Sequence, residues 1–593
     1  MKLFLGNPPW RDGELYGVRA GSRWPHFHLV PPGRKIPSYI PFPFYLAYAA
    51  AVCEDAHHTV KLCDAIALGL SDEEFLEEIT AFAPELVLLE VSTPSIYQDL
   101  ETAKRIKQAL PGVTLAFCGP HAAMSTPPFL AEHSDVDLVL YGEYEYTLRE
   151  LAAKIDQPEG ILGLIYRAQD EVIVNPPRPL ISDLDSMPLP ARHHLPMYNY
   201  CDAPAGLPLP SAVIWASRGC PFKCIFCVWP QLMYGGGSYR VRAPKNVVDE
   251  LEILTQEYGF KSINFDDDTF NLGRERMLDF ASEIQKRQLN IPWAIMARAD
   301  TMDEEVLRAL RAAGLYSLKY GVESGCQELV DRAGKKLDLV KVAEVVQLTK
   351  ALGIKVHLTF SIGLPGETWQ TVRKTIDFAK QLDPFSAQFS IVTPYPGSSY
   401  FSELEASGRL LTRDWSKYVG SGEAVFDTEF MSAAELREAQ KVALAEWRDH
   451  VIERKINDGF NKKALSNLPQ LTAHSITILR TSPLPHLKAA LKVLKQKYPY
   501  ARITIIAQDE VASDLLELPD IERIFTYQGG FLKWSKLPQQ LQEFLQSEQP
   551  ELLFCLYSTS PRNTYCDVEE VILQSRARVR GGLTLEGEFV ELS

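Results

Sequence analysis

Three cysteines stand within eight residues in the stretch "SRGCPFKCIFCVWP", Ser217–Pro230: Cys220, Cys224 and Cys227, spaced C-x3-C-x2-C. Soft thiolates at such spacing select zinc or an iron–sulfur cluster. A zinc ribbon completes its tetrahedron with a second cysteine pair at a comparable distance. Here the next cysteine is the isolated Cys326, about a hundred residues on, so zinc is disfavoured. Three thiolates on a four-iron cluster leave one iron open, which suits a site that activates a bound molecule. The other seven cysteines, Cys53, Cys63, Cys118, Cys201, Cys326, Cys555 and Cys566, are scattered and read as buried free thiols.

The elements around the triplet give it a position. From Ser211 the chain runs through six strand–helix cycles, with strand candidates "SAVIWASRG", "SINFDDDTF", "PWAIMARAD", "YSLKYGVESG", "KVHLTFSIGLPG" and "FSAQFSIVTPYPG". Helices such as "VVDELEILTQEYG" and "LVKVAEVVQLTKALG" lie between them with apolar residues at helical spacing. Six right-handed βα units suffice for an open barrel, whose chemistry belongs at the strand ends. The triplet follows the first strand. Later strand ends carry Asp267 and Asp268 in "FDDDTF", Arg298 in "MARAD", Glu323 in "GVESG" and Gly363, Pro365 and Gly366 in "SIGLPGET". Each also has a structural reading: the acids could cap the following helix, and the Gly-Pro-Gly segment could be a tight turn with Glu367 in the first helical turn.

Motif and context together resemble the radical S-adenosylmethionine (SAM) superfamily, whose signature is C-x3-C-x-aromatic-C, here with Phe226 as the aromatic residue. The resemblance implies a 4Fe-4S cluster on Cys220, Cys224 and Cys227, with SAM chelating the open iron. In that family, reduction of the cluster cleaves SAM to methionine and a 5′-deoxyadenosyl radical, which takes a hydrogen atom from substrate. It further implies SAM contacts at Asp267 or Asp268 (amino group), Arg298 (carboxylate), Glu323 (ribose) and Gly363, Pro365 and Gly366 (adenine side). The family's usual Gly-Gly-Glu is absent at "FDDDTF".

The first region, to about residue 155, alternates "KLFLGN", "TVKLCDA", "ELVLLEVST", "VTLAFCGPH" and "DLVLYGEYE" with helical stretches, the pattern of a parallel doubly wound sheet. Its ligands would bind at the carboxyl ends of the strands. This region resembles the cobalamin-binding domain of a radical SAM subgroup over almost its full length, which implies contacts from Pro8, Asp64, Gly69, Ser92, Thr93, Gly119, Gly142 and Glu143. The subgroup's D-x-H-x-x-G motif reads "DAIALG" here: Ile66 stands where a histidine would ligate cobalt, so cobalamin is expected without that ligand. His121 in "CGPHAA" reads as a polar loop residue.

The expected fold is therefore α/β throughout: a doubly wound cobalamin-binding-type domain (1–155), a Pro-rich linker (156–210), a partial (β/α)6 radical SAM barrel (211–400), a helical extension (401–470) and a C-terminal Rossmann-like α/β domain (471–593). The last resembles half of a two-domain nucleotide-sugar glycosyltransferase. It lacks a Gly-rich phosphate loop, which suggests substrate recognition, packing or oligomerisation rather than a second catalytic centre.

The formal net charge of −15 gives no global basic field, so nucleic acid is not an expected partner. No signal peptide or membrane span is legible, so the chain reads as cytoplasmic, with peripheral membrane contact open. The expected function is methylation of an unactivated carbon of a small-molecule or lipid metabolite, with a flavodoxin or ferredoxin as electron donor. Radical cyclisation, ring contraction or rearrangement is the alternative, and an iron–sulfur electron-transfer or scaffold protein is the alternative of another class. The stretches "GSRWPHF" and "PFPFYLAYAAAV" resemble radical SAM proteins of hopanoid side-chain assembly, which favours a lipid or sugar-bearing lipid substrate.

Overall fold

The computed structural model describes the chain except residues 21–23, 31–33, 125–127, 170, 421, 517, 519, 529–531, 559–564 and 593. The first three residues of "GSRWPHF" therefore lie outside the described residues. Two compact units result, one of residues 1–30 with 34–444 and one of residues 445–593. The division falls inside the stretch expected as one helical extension, because helical periodicity carries no signal of a domain boundary.

In the first unit, five parallel strands, Lys2–Asn7, Thr59–Asp64, Leu86–Glu90, Thr114–Cys118 and Leu138–Leu140, form the expected sheet. All five residues of Leu86–Glu90 are buried, as a parallel strand covered on both faces requires. The sheet then continues where a linker was expected. Leu164–Ala168 and Glu171–Val174 add an antiparallel hairpin to its edge. The alternation in "LIYRAQDEVIV" is a hairpin signal that the neighbouring prolines obscured.

The helix Phe44–Asp55 is buried along Phe44–Cys53, so it is a helix enclosed on all sides rather than a surface one. Phe44 stacks on Trp215 at 4.1 Å between ring centroids, and the Tyr45 hydroxyl donates to that of Tyr234 at 2.7 Å. The helix thus ties the first sheet to the barrel. The connector after residue 174 is also packed rather than merely extended. Leu184, Ala191, Arg192, Leu195, Met197 and Tyr200 are buried along it, with short 3-10 turns between the prolines.

The barrel has the six expected strands, all parallel and each paired with the next: Ser211–Ile214, Ser262–Phe265, Trp293–Ala297, Leu315–Glu323, Lys355–Ile362 and Ser386–Ile391. Its first and last strands stay unpaired with each other, so the barrel is open. Trp293 anchors the third strand to the helix Arg274–Lys286 that covers it, against Phe265 and Phe280 at 5.8 and 5.5 Å.

The second unit is a six-stranded sheet ordered Arg523–Tyr527, Arg502–Gln508, Ser475–Leu479, Leu552–Tyr557, Val579–Thr584 and Phe589–Glu591, antiparallel only at the last pair. The final two strands were not legible in the glycine-interrupted "RVRGGLTLEGEFV". Five of the seven scattered cysteines are buried as expected, but Cys201 is partly exposed and Cys566 is exposed at the start of the helix Cys566–Gln574. Among the described residues, no helix is long and apolar enough to cross a membrane.

Candidate active site

The first barrel strand delivers the three cysteines, and the end of the second strand holds their approach. Asp267 accepts from the Ala216 N–H at 3.2 Å and from the Ser217 hydroxyl, while Asp268 accepts from the Gly219 N–H at 3.1 Å. Burial pushes the Asp267 carboxyl up to about 6 against these hydrogen bonds. Neither acid caps the following helix Arg274–Lys286, whose N-cap is Gly273.

Within the loop, Cys220 Sγ lies 3.4 Å from the Thr269 hydroxyl, and the Cys227 N–H donates to the Cys224 carbonyl at 3.2 Å. Ile225 pins the middle: its N–H donates to the Ala333 carbonyl at 3.0 Å, and its carbonyl accepts from the Tyr400 N–H at 3.1 Å. All three thiols are partly exposed. Burial raises the Cys224 thiol, with Lys335, Glu323 and Arg298 in electrostatic reach.

The donor set tests which metal group fits. Three thiols stand on one partly exposed loop, which suits a four-iron cluster that keeps one iron open better than a closed four-ligand zinc site.

Beside the loop, the ends of the third to fifth strands form one polar network. Arg298 lies over the ring of Phe222, 3.6 Å from the centroid, and holds Asp300 through Nε and Nη2 at 3.0 and 2.8 Å. Its Nη2 also donates to the Lys335 carbonyl at 3.1 Å, and Lys335 Nζ donates to Glu323 Oε1 at 2.5 Å. The Ser361 hydroxyl donates to Glu323 Oε2 at 2.7 Å. Glu323 sits at a register shift with φ +73°, a strained conformation that re-aims its carboxylate. Lys335 and Phe222 escaped the sequence reading because neither lies at a position the resemblance names, and Ser361, in the stretch expected beside the adenine, was not singled out as a partner of Glu323. Further along, Gly363 and Gly366 take φ of +94° and +86° around Pro365, and burial pushes the Glu367 carboxyl up to about 7.

The residues expected around cobalamin divide. Ser92 and Thr93 line a cavity with Pro120, which follows Gly119. Its opposite wall is Val228, Trp229 and Leu232, just past the cysteine loop, with Tyr395 and Pro396 from the end of the sixth barrel strand. The buried Arg19 also lines it; its Nη2 donates to the Pro8 carbonyl at 2.8 Å, while its Nε has no hydrogen-bond partner. The unpartnered Arg19 Nε and the Ser92 and Thr93 hydroxyls, with Glu90 and Tyr395 in the same cavity, are polar groups that the amide edge of a bound corrin could meet.

Asp64 and Gly69 serve local structure instead: Asp64 caps the short helix Ala65–Leu68 and accepts from Asn7 and Tyr200, and Gly69 ends that helix at φ +72°. Ile66 is fully buried and apolar, so its position offers cobalt no lone pair. Gly142 precedes Glu143, which is spent on Arg218 and Arg240 at 3.0 and 2.6 Å. His121 is buried on a helical turn, 3.3 Å from the Thr93 hydroxyl, and burial lowers it to about 4.

A cluster-binding loop on an open six-stranded barrel, sharing a cavity with the strand ends of a doubly wound sheet, is the arrangement of a radical SAM enzyme with a second cofactor domain. The chain belongs to the cobalamin-dependent branch of the radical SAM superfamily and is an enzyme of that class, with a 4Fe-4S cluster, SAM and cobalamin as cofactors. The family models described as Radical SAM superfamily and B12 binding domain match residues 216–379 and 37–152.

An uncharacterized methyltransferase, PH0819 of Pyrococcus horikoshii, is 35% identical over 63% of this chain and 81% of its own length. The anaerobic magnesium-protoporphyrin IX monomethyl ester cyclase of Rubrivivax gelatinosus is 30% identical over 70% of this chain and 72% of its own. Among solved structures, the radical SAM methyltransferase TsrM from Kitasatospora setae, with cobalamin and a [4Fe-4S] cluster bound, shares the fold with a TM-score of 0.54 at 20% identity, over 76% of this chain and 88% of its own. The cobalamin-dependent SAM radical enzyme OxsB shares it with a TM-score of 0.57 at 16% identity, over 78% and 68%.

Proposed function

We propose that this enzyme methylates an unactivated carbon of a largely apolar small molecule. The carrying observation is a cavity whose walls are the first sheet's strand ends on one side and the segment just past the cysteine loop on the other. Ser92, Thr93 and Arg19 are left to the cofactor on one side of it, while Val228, Trp229 and Leu232 give the other side an apolar stretch that suits a largely apolar substrate.

Bound cobalamin and the cluster together supply methyl transfer and radical chemistry. In this reading the chain's own residues orient SAM: Asp268, partly exposed, takes its amino group, the Arg298–Lys335–Glu323 network its carboxylate and ribose, and the Gly363–Gly366 turn its adenine side. Asp267, wholly buried, supports the loop from behind. Ser92 and Thr93 hold cobalamin at its edge. A flavodoxin or ferredoxin in the cytoplasm is the proposed electron source.

Cyclisation without methyl transfer is the second reading, favoured by the relatives named as cyclases. Anaerobic incubation with SAM, a strong reductant and candidate substrates separates the two. Methylation yields S-adenosylhomocysteine together with 5′-deoxyadenosine; cyclisation yields deoxyadenosine alone. Cys224→Ser is expected to lose cluster iron and all deoxyadenosine formation. A Cys224→Ser protein that still made deoxyadenosine would overturn both readings.

A further inference from the structure

We propose that Glu54, His193 and His194 form a binding site for a divalent transition-metal ion, zinc by ligand class, that staples the connector to the helix Phe44–Asp55. His194 Nε2 lies 2.8 Å and His193 Nε2 3.2 Å from Glu54 Oε1, and the three ligand atoms all lie within 4.8 Å of one another. Nitrogen and oxygen ligands about 2.0–2.2 Å from a tetrahedral ion stand roughly 3.3–3.6 Å apart, so little movement would let them close on one. Two imidazoles and a carboxylate suit zinc and its first-row neighbours better than magnesium or calcium, which prefer all-oxygen sites.

The three ligands come from segments about 140 residues apart, and both are held independently of the pairing. The Ala191 N–H donates to the Ala47 carbonyl of the helix at 2.9 Å, about two turns before Glu54. Arg192 Nη2 reaches into the barrel, to Glu250 at 2.8 Å and to the Val213 carbonyl at 2.9 Å. The next two residues, His193 and His194, are therefore presented from an anchored 3-10 turn, closed by the Leu195 N–H on the Arg192 carbonyl at 3.0 Å. Ligands fixed in this way pay little ordering entropy on binding.

Charge points the same way. Glu54 and Asp55 end the helix, where the macrodipole is negative, and its last turn contains no basic residue. Two acids at that end are unfavourable alone and are relieved by a dication. The site is open: His193 is exposed over 60% of its side chain and His194 over 18%, leaving room for water in the remaining coordination position. None of the three residues lines the cavity described above, so the ion would brace the scaffold rather than join the chemistry.

The test uses full-length protein with its cluster assembled, so that the three cluster cysteines are occupied. It is dialysed against zinc with a weak chelator and its zinc measured by plasma mass spectrometry. One zinc per chain is expected in the wild type, and a zinc affinity at least about tenfold weaker in Glu54→Gln, His193→Ala and His194→Ala. Zinc should raise the melting temperature of the wild type and leave those of the variants unchanged. His193→Ala guards against misfolding, because that side chain is the most exposed of the three. Cobalt(II) in place of zinc should give ligand-field bands that each substitution removes. A wild type that retains no zinc, or variants that retain it undiminished, would overturn the proposal.

Discussion

Arg218 Nη1 lies 3.0 Å from Glu143 Oε1, and this buried ion pair joins the region after the first sheet's last parallel strand to the stretch that delivers the cysteine loop. The same nitrogen lies 2.7 Å from Glu145 Oε1, so one guanidinium serves two carboxylates. Burial opposes ionisation of Glu143, but Arg218, Arg240 and the Ile181 N–H outweigh it and hold that carboxyl below its usual range. Glu145 is helped by Arg218 and a backbone N–H, but burial and the neighbouring Glu143 leave it raised.

Arg218→Met removes the one cation that Glu145 faces. Breaking a buried pair in this way costs about 3–5 kcal/mol, because a charge is left unpaired. A carboxylate whose folded pKa is raised destabilises when ionised, so the loss should be greatest at pH 8 and shrink on acidification as Glu145 takes up a proton. Urea unfolding of variant and wild type at pH 5.5 and pH 8 measures this. Equal stability of the two proteins at pH 8 would remove the ion pair from the account of how the domains are joined.

Sequence alone placed the strands well where apolar runs and amphipathic helices alternate, and all six barrel strands fell where the pattern set them. It also located the cysteine loop, because that signal is purely local. What it lost were interactions set by tertiary contact. Asp64 and Gly69 matched a cofactor motif, yet with Ile66 buried between them they cap a helical turn. Lys335, twelve residues after Glu323, meets it only because the chain folds back through the helix Gln327–Arg332. Glu54 and His193 lie too far apart in sequence for any spacing rule to pair them.

Glu367 should impose its own pH dependence on stability. Burial raises its carboxyl from an ordinary value of 4.5 to about 7, while the Gly363 N–H and the Thr371 hydroxyl partly oppose the shift. Between those values the folded protein holds a proton that the unfolded chain has released, so stability falls as pH rises and levels off above pH 7. A shift of that size corresponds to roughly 3 kcal/mol. Glu367→Gln keeps an acceptor for Gly363 and carries no charge. Its unfolding midpoint relative to wild type should therefore improve from pH 5 to about pH 7 and level off above it; parallel curves over that range would show that Glu367 does not titrate there.

Arg298→Lys tests the stacked clamp on the cysteine loop. A lysine keeps the charge but loses the planar fork that grips Asp300 and the flat face laid on Phe222. Loss of a cation–π contact of this kind costs about 0.5–2 kcal/mol, and here it loosens the segment between Cys220 and Cys224. Cluster iron should be stripped by a chelator several-fold faster from the variant than from wild type. Unchanged stripping kinetics would mean that the loop is held by Ile225 and Thr269 without Arg298.

Gly363 and Gly366 look alike in sequence, but alanine should be tolerated differently at the two. Both have positive φ, so either substitution carries about 1–2 kcal/mol of backbone strain. At Gly366 the added methyl meets the Arg332 guanidinium at 2.6 Å, the end of a flexible, partly exposed arm that can swing away. At Gly363 it meets the ring of Phe426 at 2.9 Å, and that ring is fully buried. The carbonyl of Gly363 also accepts the Tyr400 hydroxyl at 2.8 Å, so a backbone shift to relieve the clash would strain that bond too. Overpacking of this kind adds about 1–3 kcal/mol. Denaturant unfolding should rank the proteins wild type, then Gly366→Ala, then Gly363→Ala. If the turn borders SAM, Gly363→Ala should also raise the KM for SAM in deoxyadenosine formation, and an unchanged KM would place the turn's role in packing alone.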